Sequence, residues 1–520
     1  MSAGYTWSVC LLAMEAKLVR VEAHISDGLA AYNLVGLPDA AVREARDRVR
    51  SAVSSCFIEW PDVRVVLNLS PASLPKTGSG YDLAMAVAML AAMQVIPKAA
   101  GDSYVVIGEL GLDGRIIPVR GILPSVLGGI KQGKTKFLVP EANVDEAELV
   151  PGAKVTGVRH LGQVIELLGG ELLVEIPPPE EPVNVAEDEP RSGLTVGDFS
   201  DIRGQAAACH AMEVAAAGGH HLLMVGTPGS GKTMLASRLP GILPPLSDLE
   251  AVAVTAIHSL AGKFSSSEGL IRRPPFQAPH HSATLAAMVG GGSGIPRPGA
   301  ASLAHCGVLF LDEAPEFGMR VLDSLREPLE SGEITLHRAA GAAVYPASFQ
   351  LIMAANPCPC GNAGSRRLTC TCTPFARKRY LERLSGPLLD RMDIQIQVET
   401  PGRGALSTAQ PADTTEVVAR RVAQARGAQQ ERWKEAGWEI NRQIPGPFLR
   451  SRRGGFTPEI LGKLDGVVEK GLLSMRGAQR VLRLAWTVAD LEGKTIPGME
   501  HLGAAMSLRR QGAEIGNHGD

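Results

Sequence analysis

Over residues 1 to about 170, short apolar runs alternate with a longer apolar helix pattern. Val63–Leu69 and Tyr104–Ile107 are rich in β-formers and bounded by polar residues, which predicts strands, while the alanine-rich run Tyr81–Met93 predicts a buried helix. These elements predict an α+β or α/β domain over 1–172. Prolines then crowd between Ile176 and Pro190, interleaved with Glu180, Glu181, Glu187, Asp188 and Glu189. Proline removes backbone donors and clustered acids stay hydrated, so 173–194 reads as an acidic linker. A second βα pattern follows over 195–401, with a helix at Gln205–Ala217 and strands at His221–Val225 and Val308–Leu311. Beyond Pro401 the period is helical, at Thr414–Ala436, Pro458–Lys470, Arg476–Leu491 and Gly498–Arg510, and predicts a helical lid and tail over 402–520. No internal repeat stands out.

Composition narrows the class. With 520 residues the chain exceeds the size of a single core, and a 45% hydrophobic, 20% charged composition fits globular α/β protein. A net charge of −2 means that any nucleic-acid contact must come from a local basic surface. The first twenty residues lack the order of a signal peptide, and no run reaches the ~18 apolar residues of a membrane span, so a soluble, cytoplasmic protein is expected. Four of the eight cysteines are Cys358, Cys360, Cys370 and Cys372, a crowding that points to a reducing compartment and a possible metal cluster.

The strongest chemical signal is Gly226-Thr227-Pro228-Gly229-Ser230-Gly231-Lys232-Thr233, which fits G-x-x-x-x-G-K-[ST] between an apolar strand and a helix start. Such a loop wraps backbone N–H groups around phosphate oxygens, with the lysine on the terminal phosphates and the threonine on Mg²⁺. Gly307-Val-Leu-Phe-Leu-Asp312-Glu313 supplies an apolar strand ending in two acids. Asp312 would reach the Mg²⁺ shell and Glu313 would orient the attacking water as general base. Together they predict ATP hydrolysis.

Longer segments resemble a known family. Pro279-His280-His281-Ser282, Pro296-Arg297-Pro298-Gly299, Asn356-Pro-Cys358-Pro-Cys360-Gly and Ser385-Gly-Pro-Leu-Leu-Asp390-Arg391-Met-Asp look like the YifB/ComM family of magnesium-chelatase-like AAA+ proteins, over essentially the whole chain. The resemblance implies an N-terminal Lon-protease-like domain, a P-loop AAA+ core with β-hairpin inserts, a helical lid and a nucleotide-dependent homohexamer. By the same resemblance Asn356 is the sensor of the lytic water, Arg391 the arginine finger acting on a neighbouring subunit, and Arg476 the second sensor. Pro75 to Asp82 and Gly108 to Val119 are similar to the active-site segments of Lon proteases, but Gly80 stands at the nucleophile position, with Ser79 one place early, and Leu123 stands at the partner-lysine position. A hydroxyl without a desolvated amine is a poor nucleophile, so no peptidase activity is expected.

Two further features lie in the core. Cys358-Pro-Cys360 and Cys370-Thr-Cys372 would suit a tetrahedral Zn²⁺, although Cys-x-Cys is tighter than the usual knuckle and four reduced thiols in a packed loop are the alternative. Arg366, Arg367, Arg377, Lys378, Arg379 and Arg383 form a basic stretch, and Glu333 to Tyr345 reads as a β-hairpin carrying His337 and Arg338. The resemblance makes His337 and Arg338 candidate DNA contacts, and the basic stretch could meet phosphates too; a subunit-packing hairpin and a solvated helix face are the competing readings. Tandem His280-His281 reads as polar contacts within an inserted loop. The expected function is an ATP-driven DNA helicase or branch-migration translocase, acting on branched or single-stranded DNA in recombination during natural transformation. The rivals are an ATPase subunit remodelling a partner protein, as magnesium chelatase does, and an inert ATP-binding scaffold.

Overall fold

The computed structural model describes residues 2–171, 173–178, 197–265, 269–292, 296–338, 341–364, 368–402 and 412–517. Most of the expected linker, at 179–194, lies outside the described residues, as do residues 195–196 of the expected core, Arg366 and Arg367.

Strands Ser2–Leu12 and Glu15–Ser26 pair antiparallel along their length around a turn at Ala13 and Met14. They centre a seven-stranded sheet ordered Ala31–Val35, Arg64–Ser70, Glu15–Ser26, Ser2–Leu12, Val105–Val106, Lys136–Pro140, Lys154–Val158. Helix Asp82–Ala92 packs on this sheet with every residue buried, as its apolar circumference requires. Gly4 permits the approach, because a Cβ there would collide with the backbone of Ala88 and Ala92. The Asp82 carboxylate, fully buried, accepts from Arg48 Nε at 2.6 Å and from the Leu110 N–H at 3.3 Å.

The second sheet is wholly parallel, in the order Phe276–Gln277, Val308–Leu311, Gln350–Ala355, Leu222–Val225, Ile394–Gln397. Helices lie against it, and its inner strands are buried on both faces, the pattern of a doubly covered parallel sheet. Strand Gln350–Ala355 runs between the strand that ends at Val225 and the strand that ends at Leu311. Their C-terminal ends therefore open onto one crevice at a change of strand order.

Helices Thr415–Trp433, Pro458–Glu469, Met475–Leu491 and Met499–Asn517 form the helical part, the first three started by the side chains of Thr414, Thr457 and Ser474 as N-caps. The last helix extends beyond the expected Arg510 to Asn517, running through Gly512 and Gly516. Trp433, Trp438, Trp486, Phe448 and Phe456 pack edge-to-face within it.

A buried polar hub ties these helices to the sheet. The Asp393 carboxylate, 0% exposed, accepts from Arg480 and from the His221 backbone N–H, and faces His220 Nδ1 at 3.5 Å. Burial would raise its pKa, but the Arg480 charge and then His220 outweigh it and hold the carboxyl well below the usual range. Arg509 donates to the Met392 carbonyl at 2.6 Å, and Arg442 meets His221 Nε2 at 3.0 Å.

The two sheets meet through side chains. Ser259 donates to Glu146 at 2.5 Å from helix Asp248–Ala261, which packs on helix Ile122–Lys131. The hairpin Glu333–Arg338 and Gly341–Pro346 buries Ala343 and Tyr345 against Ala13, Met14 and Leu260, and the Tyr345 hydroxyl donates to the Pro296 carbonyl.

Asp393→Ala leaves Arg480 and Arg442 buried without their anion. It is expected to lower the stability of this region by about 3–5 kcal/mol, read as a shifted midpoint in urea unfolding.

Candidate nucleotide site and cysteine cluster

Strand Leu222–Val225 delivers the chain to Gly226, and helix Lys232–Ile242 leaves from Gly231. Between them Gly229 and Gly231 take φ of +75° and +90°, a left-handed backbone that curls the loop and turns its N–H groups inward. Lys232, 8% exposed, donates from Nζ to the carbonyls of Gly226 at 2.7 Å and Thr227 at 3.1 Å, and to Asn356 Oδ1 at 3.3 Å. Burial lowers its pKa, while Asp312 and Glu313 pull it back up, so a buried cation faces the loop. Gln205 Nε2 braces the loop from outside, donating to the Ser230 carbonyl at 2.5 Å, and Thr227 Oγ1 meets Thr400 Oγ1 at 3.1 Å. Neither brace was legible in the motif, because both partners are remote in sequence.

Across the crevice Thr233 Oγ1 donates to Asp312 Oδ2 at 2.7 Å, which brings the two expected Mg²⁺ ligands together. Their hydroxyl and carboxylate oxygens suit a hard cation that keeps several waters. Glu313 adopts φ +50°, which swings its side chain off the strand, and its carboxylate lies 3.2 Å from His281 Nδ1. His281 in turn packs on His280, with ring centroids 4.0 Å apart and planes tilted by 35°. His281 thus contacts the acid expected as the base, a role its sequence neighbourhood did not indicate.

Asn356 follows strand Gln350–Ala355 directly and lies beside Lys232. Arg391 and Arg476 lie elsewhere. Leu222 registers with Ile394, so Arg391, just before Ile394, sits at the strand starts, about 13 Å of strand away from the end that carries Gly226. Arg391 pairs with Glu330 and donates to the Pro387 carbonyl at 2.6 Å. Arg476, 73% exposed in the first turn of its helix, lies 3.9 Å from Asp390, one residue from Arg391.

The four cysteines converge, with all Sγ atoms within 4.8 Å of one another. The Sγ separations are 3.4 Å for Cys358–Cys360, 3.6 Å for Cys358–Cys370 and 3.6 Å for Cys360–Cys370. A regular tetrahedron with metal–sulfur bonds of 2.3 Å has edges of about 3.8 Å, so the arrangement fits one Zn²⁺. The N–H groups of Asn362 and Thr371 draw the Cys360 thiol down to about 5, while burial pushes Cys358 up to about 11.

Arg377, Lys378 and Arg379 lie on helix Pro374–Leu381, with Lys378 and Arg379 exposed and Arg377 half-buried. His337 is exposed near the end of the hairpin, and Arg338 closes that strand opposite Gly341. In the N-terminal part the Ser79 hydroxyl donates to Glu109, whereas Lys76, fully buried, spends its ammonium on the Pro71 carbonyl. Leu123 is buried in the apolar interior, so no amine meets Ser79 from that position.

Three family profiles match the chain: "Magnesium chelatase, subunit ChlI" over 198–406, "Subunit ChlI of Mg-chelatase" over 21–143 and "Magnesium chelatase, subunit ChlI C-terminal" over 412–509. The chain is 48% identical over 515 residues to an uncharacterized protein of Mycobacterium tuberculosis, covering 99% of this chain and 100% of that one. It is 42% identical to the uncharacterized protein YifB of Escherichia coli, over 98% of this chain and 97% of YifB. Against competence protein ComM of Haemophilus influenzae the identity is 40%, over 98% of each chain. A Lon protease of Rhizobium meliloti matches at 28% identity over 29% of this chain and 19% of its own. Among the described residues no helix is long and apolar enough to cross a membrane.

A non-hydrolysable ATP analogue with Mg²⁺ at a hundredfold its Kd is expected to stabilise the protein by about 2.7 kcal/mol. Lys232→Ala should abolish most of that thermal shift, measured by differential scanning calorimetry.

Proposed function

The chain belongs to the YifB/ComM family of magnesium-chelatase-like AAA+ proteins, and from that premise we propose that it is an ATP-driven hexameric motor on branched or single-stranded DNA. The family carries ATP hydrolysis with Mg²⁺; the DNA substrate, the helicase or branch-migration activity and the cytoplasmic setting are our reading. One observation supports the ring above others. Lys232 and Glu313 gather at the strand ends, while Arg391 and Arg476 gather beside Asp390 at the strand starts, out of reach of their own phosphate loop. A protomer so built has half a site on each of two edges, and side-by-side assembly would bring Arg391 of one chain to the nucleotide of the next.

In this reading residues 226–233 would cradle the phosphates, and Thr233 with Asp312 would hold a Mg²⁺ whose charge would offset that of the phosphates. Asn356 orients the water and Glu313 accepts its proton after leaving His281. The arginines stabilise the transferring phosphoryl group. Cys358, Cys360, Cys370 and Cys372 hold a structural Zn²⁺. His337, Arg338, Arg377, Lys378 and Arg379 are the DNA-facing candidates. Residues 1–172 serve as a Lon-like binding or structural domain without peptidase activity, joined by the 173–194 linker to the 195–401 core and the 402–520 lid.

Glu313→Gln is expected to cut ATP turnover by about 10²-fold or more while nucleotide still binds. A synthetic four-way junction should stimulate wild-type turnover and be unwound; turnover indifferent to DNA would defeat the motor reading in favour of partner-protein remodelling. Arg391→Ala and Lys232→Ala should each be inactive alone, yet recover part of the turnover when mixed, because some mixed interfaces regain one intact half from each chain. Absence of recovery in mixed rings would count against Arg391 acting across subunits.

A further inference from the structure

The cysteine cluster is contiguous with the nucleotide site. Asn356 bonds Lys232 at 3.3 Å, and Cys358 follows two residues later, buried beneath the loop. The chain then turns tightly: Gly361 N–H donates to the Cys358 carbonyl at 2.9 Å, and Ala363 N–H to Cys358 Sγ at 3.3 Å. That turn carries Gly361, buried and at φ +77°, onto the Pro228 ring of the phosphate loop. The backbone approach is close enough that a Cβ on Gly361 would sit 2.6 Å from Pro228 Cγ and 2.7 Å from Cδ. Below 3.0 Å two carbons overlap, so one of the loops would have to move.

We infer that the tetrathiolate metal centre is a strut of the nucleotide site, holding Asn356 on one side and pressing Gly361 against Pro228 on the other. The inference rests on the Zn²⁺ reading above. The physical reason is rigidity. Loops without their own ladder of hydrogen bonds are compliant, and the described residues at 356–364 and 368–372 form no helix or strand. Four bonds to one ion fix the ends of this excursion relative to each other. A phosphate loop needs its N–H groups held within fractions of an ångström of the phosphate oxygens, and Pro228 exposes one ring face that the turn can buttress. Gly361→Ala and Gly364→Ala separate contact from strain. Gly364 shares the loop and the left-handed backbone, at φ +76°, but a Cβ there meets nothing within 4 Å.

The test measures zinc content and Mg²⁺-dependent binding of a fluorescent ATP analogue on the full chain. Wild type and both variants should carry one zinc per chain; Gly361→Ala should bind nucleotide about tenfold more weakly, and Gly364→Ala like wild type. Chelation that strips the zinc should reproduce the Gly361→Ala loss. Zinc retained with unchanged nucleotide affinity in Gly361→Ala, or equal losses in both variants, would overturn the strut and leave the metal reading standing. Protein without zinc that also gives no thiolate charge-transfer band with Co²⁺ would overturn the metal reading and the strut with it.

Discussion

A buried ammonium dictates much of this core. Lys232 is nearly sealed from solvent, and a cation there must find oxygen atoms or lose its charge. It finds the carbonyls of its own loop and the side chain of Asn356, two strands' worth of structure brought side by side by the parallel sheet. The loop closes on the lysine, Asn356 is fixed at the end of its strand, and Asp312 lies across the crevice on Thr233. The same carbonyls and the same amine are what a polyphosphate would engage, so the arrangement is held ready by the charge it later shares.

Local patterns were legible in the sequence where the physics is local. The phosphate loop and the Asp312-Glu313 strand end depend on residues within a dozen positions, and both fall at the strand ends expected of them. Helix and strand spans at Asp82–Ala92, Ala206–Gly218 and Val308–Leu311 follow from apolar period and alanine content within one or two residues. What was not legible depends on distant partners. His281 meets Glu313, Gln205 meets Ser230 and Gly361 meets Pro228 only once the sheet order is set. The Asp393 hub draws its partners from the sheet and three helical segments, and nothing in the run Asp390-Arg391-Met392-Asp393 marks the second acid as the buried one.

In the N-terminal sheet the two side chains nearest in kind to a hydroxyl–amine pair are engaged separately. Ser79 donates to an acid and the buried Lys76 to a backbone carbonyl, so the two are not paired with each other. The fold remains a docking body: Glu146 takes Ser259 from the core, and the turn at Ala13 and Met14 takes the hairpin.

That last contact has a mechanical meaning. The hairpin is stiff along its ladder and is clamped at its root on two sides, by Tyr345 on the Pro296 carbonyl and by Ala343 on Ala13. A ribbon fixed in that way cannot swivel independently of the sheet beneath it. The hairpin is seated on the turn between the two longest strands of the N-terminal sheet. Ala343 and Tyr345 thus join the core hairpin to the N-terminal sheet through one small apolar cluster.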